Sequence, residues 1–416
     1  MPQIVDLEGG EHLVRIGWNR CHHTVKQLLH SAIMDILAGA LVAFSAVALT
    51  AQAGSCALTF LRFRKEKTAA MPLARPGITV VRPLCGLEPF SRETLTSTFQ
   101  IDYPDYEVLF CVAEEQDPIL PLARKLVAEH PDRRARVLTG KDALGENPKL
   151  NNMAKGFREA RHDHIVFVDS NVFTPHDYLN QLVKTLESGA GMVSAPPIGL
   201  APQSFWAEVE CAFLNAYQAR IQYAVDTLGF GFAQGKTLFF RREDLAHGGL
   251  AKLAAEPAED AAATKMMHAK GRRVRLAGPF PQLIGQRSAR QVWMRQVRWA
   301  RLRRSTFPLH YAAECLAGPI PPFLALLLGL SLLQVNASVF LPSFLMLWYS
   351  PEWILSRAAG WPRSLSAALI RDLLLPVLFV AGWAGRSVEW HGHRIGSPRT
   401  APAKLKSLVR KLRYTP

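Results

Sequence analysis

Residues 166–172 read Val-Phe-Val-Asp-Ser-Asn-Val. Ile165–Val168 is a short apolar run of the kind that forms a buried strand. At its end it delivers a carboxylate, a hydroxyl and an amide. Taken alone, Asp-Ser-Asn is turn chemistry, because Asp side chains bond nearby backbone N–H groups. The surroundings change its weight. Further strands are predicted at Ile78–Arg82, Glu107–Val112, Arg136–Leu138, His164–Val168, Met192–Ala195, Thr237–Arg241 and Arg272–Leu276. Helical stretches such as Ile119–Glu129, Leu150–Ala160, Pro175–Leu186 and Phe205–Ala224 fall between them. This alternation predicts an α/β domain from about Gly77 to Arg304, a mostly parallel sheet with helices on both faces. Ligands in such sheets bind beyond the carboxyl ends of the strands, and Asp169 stands at one. There is no G-x-G-x-x-G and no G-x-x-x-x-G-K-[ST], which argues against dinucleotide and P-loop phosphate binding.

The chain of 416 residues carries a formal net charge of +15 and a pI near 9.8. That balance suits a nucleic acid, an anionic membrane surface or a phosphorylated substrate. The six cysteines are scattered with no C-x-x-C pair, so they read as reduced thiols with no zinc site. Ile36–Leu61 is almost wholly apolar and exceeds the ~20 residues that cross a bilayer as a helix. Arg62, Arg64, Lys65 and Lys67 follow it and place the downstream side in the cytosol. We read an uncleaved anchor at 36–61 behind an N-terminal extension, 1–35. Residues 1–33 are either a true extension or an over-long start, with Met34 the alternative. Apolar stretches return at Ile320–Leu333, Val335–Tyr349 and Ala367–Trp383, broken by prolines and, in the last, by Arg371 and Asp372. Charges at membrane depth are costly unless paired, so tilted, interfacial or re-entrant segments are expected over 306–384. A basic tail, 385–416, favours the cytosol, at odds with three full crossings. Trp390 in "EWHGHR" (389–394) reads as a headgroup-level aromatic, and the two histidines there make no metal site.

Three acids and one helix bear on chemistry. Asp117 in "AEEQDP" (113–118) follows a predicted strand; a helix cap ahead of Pro118 is the plain reading. Asp260 in "AEDAAATKMM" (258–267) opens a predicted helix, whose dipole should keep the carboxylate ionised. "RQVWMRQVRWARLRR" (290–304) is predicted helical, with Arg295, Arg298 and Trp299 on one face. Such a helix either lies on lipid headgroups or clamps a diphosphate, which Arg grips in a bidentate fork.

In this order Asp117, Asp169, Asp260 and the R-x-x-R-W of Arg295–Trp299 resemble membrane-anchored inverting glycosyltransferases of GT-A fold, and more closely the ceramide glucosyltransferase family. "VVRPLCGLEP" (80–89), "DYPDYEVLFCV" (102–112), "NPKLNNMAKG" (147–156), "VDSNV" (168–172) and "AED" (258–260) are similar to that family's blocks, over about residues 36–310. The resemblance implies a GT-A domain over 77–305. It implies that Asp117 holds the nucleotide near its uracil and that Asp169 takes Mg²⁺ or Mn²⁺ bridging the donor diphosphate. Asn171 stands where many GT-A enzymes have a second acid. Asp260 would be the general base, and Arg295, Arg298 and Trp299 would bracket the leaving diphosphate. Lys149 is either a phosphate contact or a surface lysine, and "GFGFAQGKT" (229–237) either lines the site or is a simple turn.

The expected function is transfer of a hexose, glucose first, from a UDP-sugar to a membrane lipid at the cytosolic face of a bacterial inner membrane, without nucleic acid. Ceramide leads as acceptor, with diacylglycerol and a hopanoid as alternatives. A processive polysaccharide synthase fits less well, since few helices are available for a channel. A non-catalytic lipid-binding anchor would not need the full set of acids.

Overall fold

The computed structural model describes the backbone of residues 8–67, 71–145, 147–254, 256–385, 388–390 and 393–395, with side chains from 26 to 65 and from 71 to 385 except at 146 and 255. Residues 1–7 and most of the basic tail lie outside the described residues, as does the Trp390 side chain. The chain divides into two compact units, residues 1–53 with 318–350, and residues 54–317 with 351–416.

The larger unit holds a seven-stranded sheet. Its strands are β1 (Ile78–Leu84), β2 (Tyr106–Val112), β3 (Arg134–Leu138), β4 (His164–Val168), β5 (Met192–Ser194), β7 (Thr237–Arg241) and β8 (Val274–Leu276), in the order β3-β2-β1-β4-β7-β5-β8. All seven predicted strands are present, and the fold is the expected GT-A type. The neighbours of β1, β2 and β3 are parallel, whereas β7 runs antiparallel to β4 and β5. Four strands were not predicted: Val388–Trp390 and His393–Ile395, which pair antiparallel, and β6 (Pro197–Pro202) and β9 (Phe280–Gly285), which pair in parallel as a small second sheet. Proline cannot donate to a ladder and is confined to edges, and a two-stranded sheet consists of edges alone.

Side chains alternate across the strands. Val80, Val108, Phe110, Val166 and Val168 face one core with Leu120, Ala123, Leu179 and Leu182. Val81, Leu109, Cys111, Ile165 and Phe167 face the other with Leu150, Met153, Ala263 and Met267.

The block 147–156 is a stitch between strand ends. Asn147 caps the helix Pro148–Glu159 by accepting from the amides of Lys149 and Leu150. Asn152 donates to the Leu84 carbonyl at 3.4 Å and Lys155 to the Val112 carbonyl at 2.8 Å, holding the carboxyl ends of β1 and β2. Gly156 allows this approach, because a Cβ there would lie 2.2 Å from Val81 Cγ1.

Arg82 of β1 is fully buried. Its guanidinium donates to the carbonyls of Asp169 (2.8 Å), Ser170 (3.1 Å), Val172 (2.7 Å) and Thr94 (2.9 Å), and to the Thr98 hydroxyl. Burial lowers its pKa to about 10.

Among the described residues two helices are long and apolar enough to cross a membrane, Lys26–Lys65, within the helix Glu8–Lys67, and Leu365–Trp383; the bent pair Pro308–Leu316 and Ile320–Leu332 makes a third if it counts as one span. Phe340–Ala359, which carries the predicted 335–349 stretch, contains Pro351 and does not meet that test. In the smaller unit Ser45 donates to the Pro322 carbonyl at 2.7 Å, and Gly329 leaves room for the Ala38 carbonyl. In the larger unit Arg62 is not a free basic flank: it pairs with Asp226 at 2.5 Å, and its side chain is 9% exposed.

Arg371 and Asp372 are buried. Arg371 donates to both oxygens of Asp372 at 2.8 Å and to Glu352 at 3.1 Å, with Arg220 4.0 Å from Glu352. Two cations thus face two anions, as buried charges require.

Arg82→Met should destabilise the larger unit by at least about 3 kcal/mol, because several buried acceptors lose their donor at once. Thermal unfolding of the purified full chain in detergent checks this. An unchanged midpoint would mean that the carbonyls find other donors.

Candidate active site

The β4–β7 register builds the centre of the site. Val168 pairs with Thr237, so Asp169 and Lys236 are the next pair along, and the Asp169 amide donates to the Lys236 carbonyl at 3.1 Å. Lys236 Nζ lies 2.8 Å from Asp169 Oδ2 and 2.9 Å from Asn171 Oδ1. Lys149 Nζ lies 2.7 Å from Asp169 Oδ1 and 2.6 Å from Glu259 Oε1, and donates to the Gly235 carbonyl at 2.5 Å. Burial alone would raise the pKa of Asp169, but the two ammonium groups hold it down at about 2. Burial would likewise lower Lys149, and the Asp169 and Glu259 carboxylates raise it above the ordinary lysine value. The Lys149 side chain is only 11% exposed and is turned onto Asp169 and Glu259.

Asp260 sits in the first turn of the helix Glu259–Ala269. Its Oδ2 accepts from the Gly235 amide at 2.8 Å and its Oδ1 from the Ala261 amide at 2.8 Å. The helix dipole does not decide its charge. Burial first, and the adjacent Glu259 carboxylate second, push its pKa up to about 6, against the opposing pull of Lys149 and the two amides. Asn147 Nδ2 fixes the other Glu259 oxygen at 3.1 Å. Gly235 lets the cluster close around the backbone, since a Cβ there would meet Glu259 Oε1 at 2.7 Å and Lys149 Nζ at 3.0 Å. The loop 229–237 therefore borders the site through its last residues.

The arginine helix, Ala289–Thr306, divides its cations. Arg295 donates to the fully buried Glu210, beside Arg287 at 3.6 Å from the same carboxylate. Trp299 packs on Ala207, Cys211, Leu214 and Ile284, with Arg295 6.0 Å from its ring centre. Arg301 and Arg304 donate to the carbonyls of Trp383, Ala384 and Gly385, capping the helix Leu365–Trp383. Arg298 differs. Burial first and Arg295 second lower its pKa to about 10, while Asp169, Glu210 and Glu88 raise it. Of the residues expected to bracket a diphosphate, Arg298 thus lies within electrostatic reach of Asp169. Arg295 and Trp299 are held by the packing around Glu210.

Asp117 lies apart from this cluster, on the loop after β2. It accepts from the Ile119 amide at 2.9 Å in a turn ahead of the helix Leu120–Glu129, whose cap is Ile119 and not the expected Asp117, and from the Gly86 amide at 2.9 and 3.1 Å. It therefore ties the loop after β1 to the loop after β2. From the β1 loop, Glu88 reaches back to accept from Asn171 Nδ2 at 3.0 Å.

Asp169 was expected to carry a divalent cation. In the structure both of its oxygens face lysine ammonium groups, and Asn171 Oδ1 shares one of them. Among the described residues no group of three or more His, Cys, Asp or Glu side chains is placed to hold a metal ion. These residues do not by themselves make a divalent-ion seat; an ion could enter only by displacing an ammonium group.

Glu259, Asn147, Glu88, Lys236 and Arg82 were not foreseen as functional or supporting residues. Glu259 adjoins the predicted base, and Lys236 lies in a loop singled out for its glycines, but partners so distant in sequence are visible only once the register is known.

The sequence was compared with known proteins. It is 28% identical over 262 residues to ceramide glucosyltransferase 1 of Caenorhabditis elegans, covering 62% of this chain and 56% of that protein. It is 24% identical over 349 residues to ceramide glucosyltransferase 3 of the same organism, covering 81% and 76%. The chain thus spans little more than half the length of the first of these relatives. Among solved structures, a mannosyltransferase from Pyrobaculum calidifontis, in complex with GDP-Man and Mn²⁺, is 20% identical, covers 83% of this chain and 98% of its own, and gives a TM-score of 0.46. Glycosyl transferase family 21 matches residues 40–397, and the chain belongs to that family.

Proposed function

We propose that this chain is an inverting glycosyltransferase that moves a hexose, glucose first, from a UDP-sugar to the hydroxyl of a membrane lipid, with ceramide as the acceptor. The observation that carries the reading is the cluster at the carboxyl end of β4. There Asp260, with its pKa raised to about 6, shares one hydrogen-bonded network with Glu259, Lys149 and Asp169. A general base works best with a pKa near the operating pH. Membership of glycosyl transferase family 21 and the names of the nematode relatives support the sugar and the lipid.

In this reading Asp260 takes the proton of the acceptor hydroxyl. The freed oxygen pair attacks the anomeric carbon from the face opposite UDP. The bond from that carbon to the diphosphate breaks, and its electron pair leaves on the diphosphate oxygen. Arg298, Lys149 and Lys236 stabilise the charge that grows there. Asp117 holds the nucleotide end through the loop it braces. The domain 77–305 lies on the cytosolic side, as the basic residues after the first apolar run favour.

Asp260→Asn should lower turnover by about 10²–10⁴-fold and leave UDP binding nearly intact. In the wild type the rate should rise with pH through about 6 and level above it, because protonation below that value removes the base. A pH profile of purified enzyme with UDP-glucose and ceramide in mixed micelles checks both. Wild-type turnover in the variant would sink the assignment.

Arg298→Lys should lose turnover while staying membrane-bound, since lysine keeps the charge and loses the planar fork. The exposed Arg290→Lys is the control. Arg304 is unsuitable because it caps a neighbouring helix. Normal turnover in Arg298→Lys would confine this helix to packing and lipid contact.

A further inference from the structure

Lys236 has no part in the family resemblance set out above, yet it occupies the middle of the Asp-Ser-Asn turn. Its ammonium lies 2.8 Å from Asp169 Oδ2 and 2.9 Å from Asn171 Oδ1. Those two oxygens are the pair a cation bridging the two side chains would use. The position is fixed by backbone geometry. The Asp169 amide bonds the Lys236 carbonyl at 3.1 Å, directly beyond the Val168–Thr237 pair of the β4–β7 ladder. Asn171 is itself held in place, because its Nδ2 donates to Glu88 at 3.0 Å, which turns its oxygen toward the lysine. An acid at position 171 would set a second carboxylate against Glu88; the neutral amide suits one ammonium group between its oxygen and Asp169.

Lys149 also faces Asp169, but three acceptors hold it: Asp169, Glu259 and the Gly235 carbonyl. Among the described residues the ammonium of Lys236 bonds only the two side chains of the turn. Lysine is a point charge on a flexible stem with three donors, so it can turn one donor to a phosphate oxygen while keeping the others. A divalent ion coordinated by Asp169 and Asn171 would compete with it directly.

We propose that Lys236 is a tethered counter-cation that takes the place of a divalent ion between Asp169 and Asn171 and passes to the diphosphate when the donor binds. It is a donor-binding residue that makes nucleotide affinity nearly independent of divalent metal. The proposal rests on the UDP-sugar reading above.

The test is UDP binding to the detergent-solubilised full chain by calorimetry, in EDTA and in excess Mg²⁺, for wild type, Lys236→Met and Lys236→Arg. The wild-type affinity should change by less than about threefold between the two conditions, well under the tenfold that 1.4 kcal/mol represents. Lys236→Met should bind UDP at least about tenfold more weakly in EDTA and recover with Mg²⁺. Lys236→Arg should stay closer to wild type. Mn²⁺ titrated without nucleotide and followed by electron paramagnetic resonance should bind Lys236→Met more tightly than wild type. This readout does not depend on turnover. Wild-type UDP binding that collapses in EDTA, or a Lys236→Met variant matching wild type in both conditions, overturns the proposal and leaves the donor reading standing. UDP binding in no condition overturns both.

Discussion

An arginine stripped of water and held by main-chain carbonyls is the constraint on which the rest of this structure depends. Such a cation is destabilising unless its donors are satisfied. Both terminal nitrogens of Arg82 meet that demand, with the carbonyls of Asp169, Ser170, Val172 and Thr94 and the hydroxyl of Thr98. Three of those carbonyls belong to the turn at the end of β4. The turn therefore cannot relax without stranding a buried charge, and its side chains are held away from the guanidinium on a fixed backbone. The stitch from Asn152 and Lys155 to the ends of β1 and β2 does the same for the neighbouring loops. The carboxyl edge of the sheet is thus set by side chains bonding to main-chain carbonyls, before any functional group is considered.

Onto that frame the site places an interlocked set of charges. Glu88, Asp169, Glu259 and Asp260 supply the acids, and Lys149, Lys236 and Arg298 the cations. With four acids against three cations, one carboxyl group is left to hold its proton most readily. That group is Asp260, which among the described residues has no ammonium group within salt-bridge distance and which burial and the adjacent Glu259 push toward the protonated form. Its native pKa, about 6, is raised above the ordinary Asp value, so the native state binds a proton more tightly than the unfolded chain does. Its contribution to stability is present at low pH and is lost as pH rises toward and through about 6. The same rise makes the base available. Stability and reactivity at this residue pull in opposite directions.

The sheet was readable in advance because its strands are short apolar runs separated by amphipathic helices, and β4 and β7 fall where periodicity put them. β6 and β9 were hidden by Pro197, Pro202 and Pro281, which argue against strands. At the site, the acids at strand and helix ends could be picked out from the sequence, Asp169 and Asp260 above all. Their electrical state could not. Lys236 reaches Asp169 only through an antiparallel register that composition does not reveal, and Arg295 is diverted by Glu210, a buried acid on another helix. The arginine helix looked uniform, yet its members cap a helix end, neutralise a buried carboxylate or face the site according to which neighbour packs beside each one.

The charge cluster around Arg371 bears on how the protein comes to be made. A helix such as Leu365–Trp383, carrying an arginine and an aspartate, enters a bilayer poorly by itself, even with the two neutralising each other. Glu352 lies on the preceding helix and Arg220 far earlier in the chain. If that helix crosses a bilayer, the groups outside it that match its charges come from residues synthesised well before it.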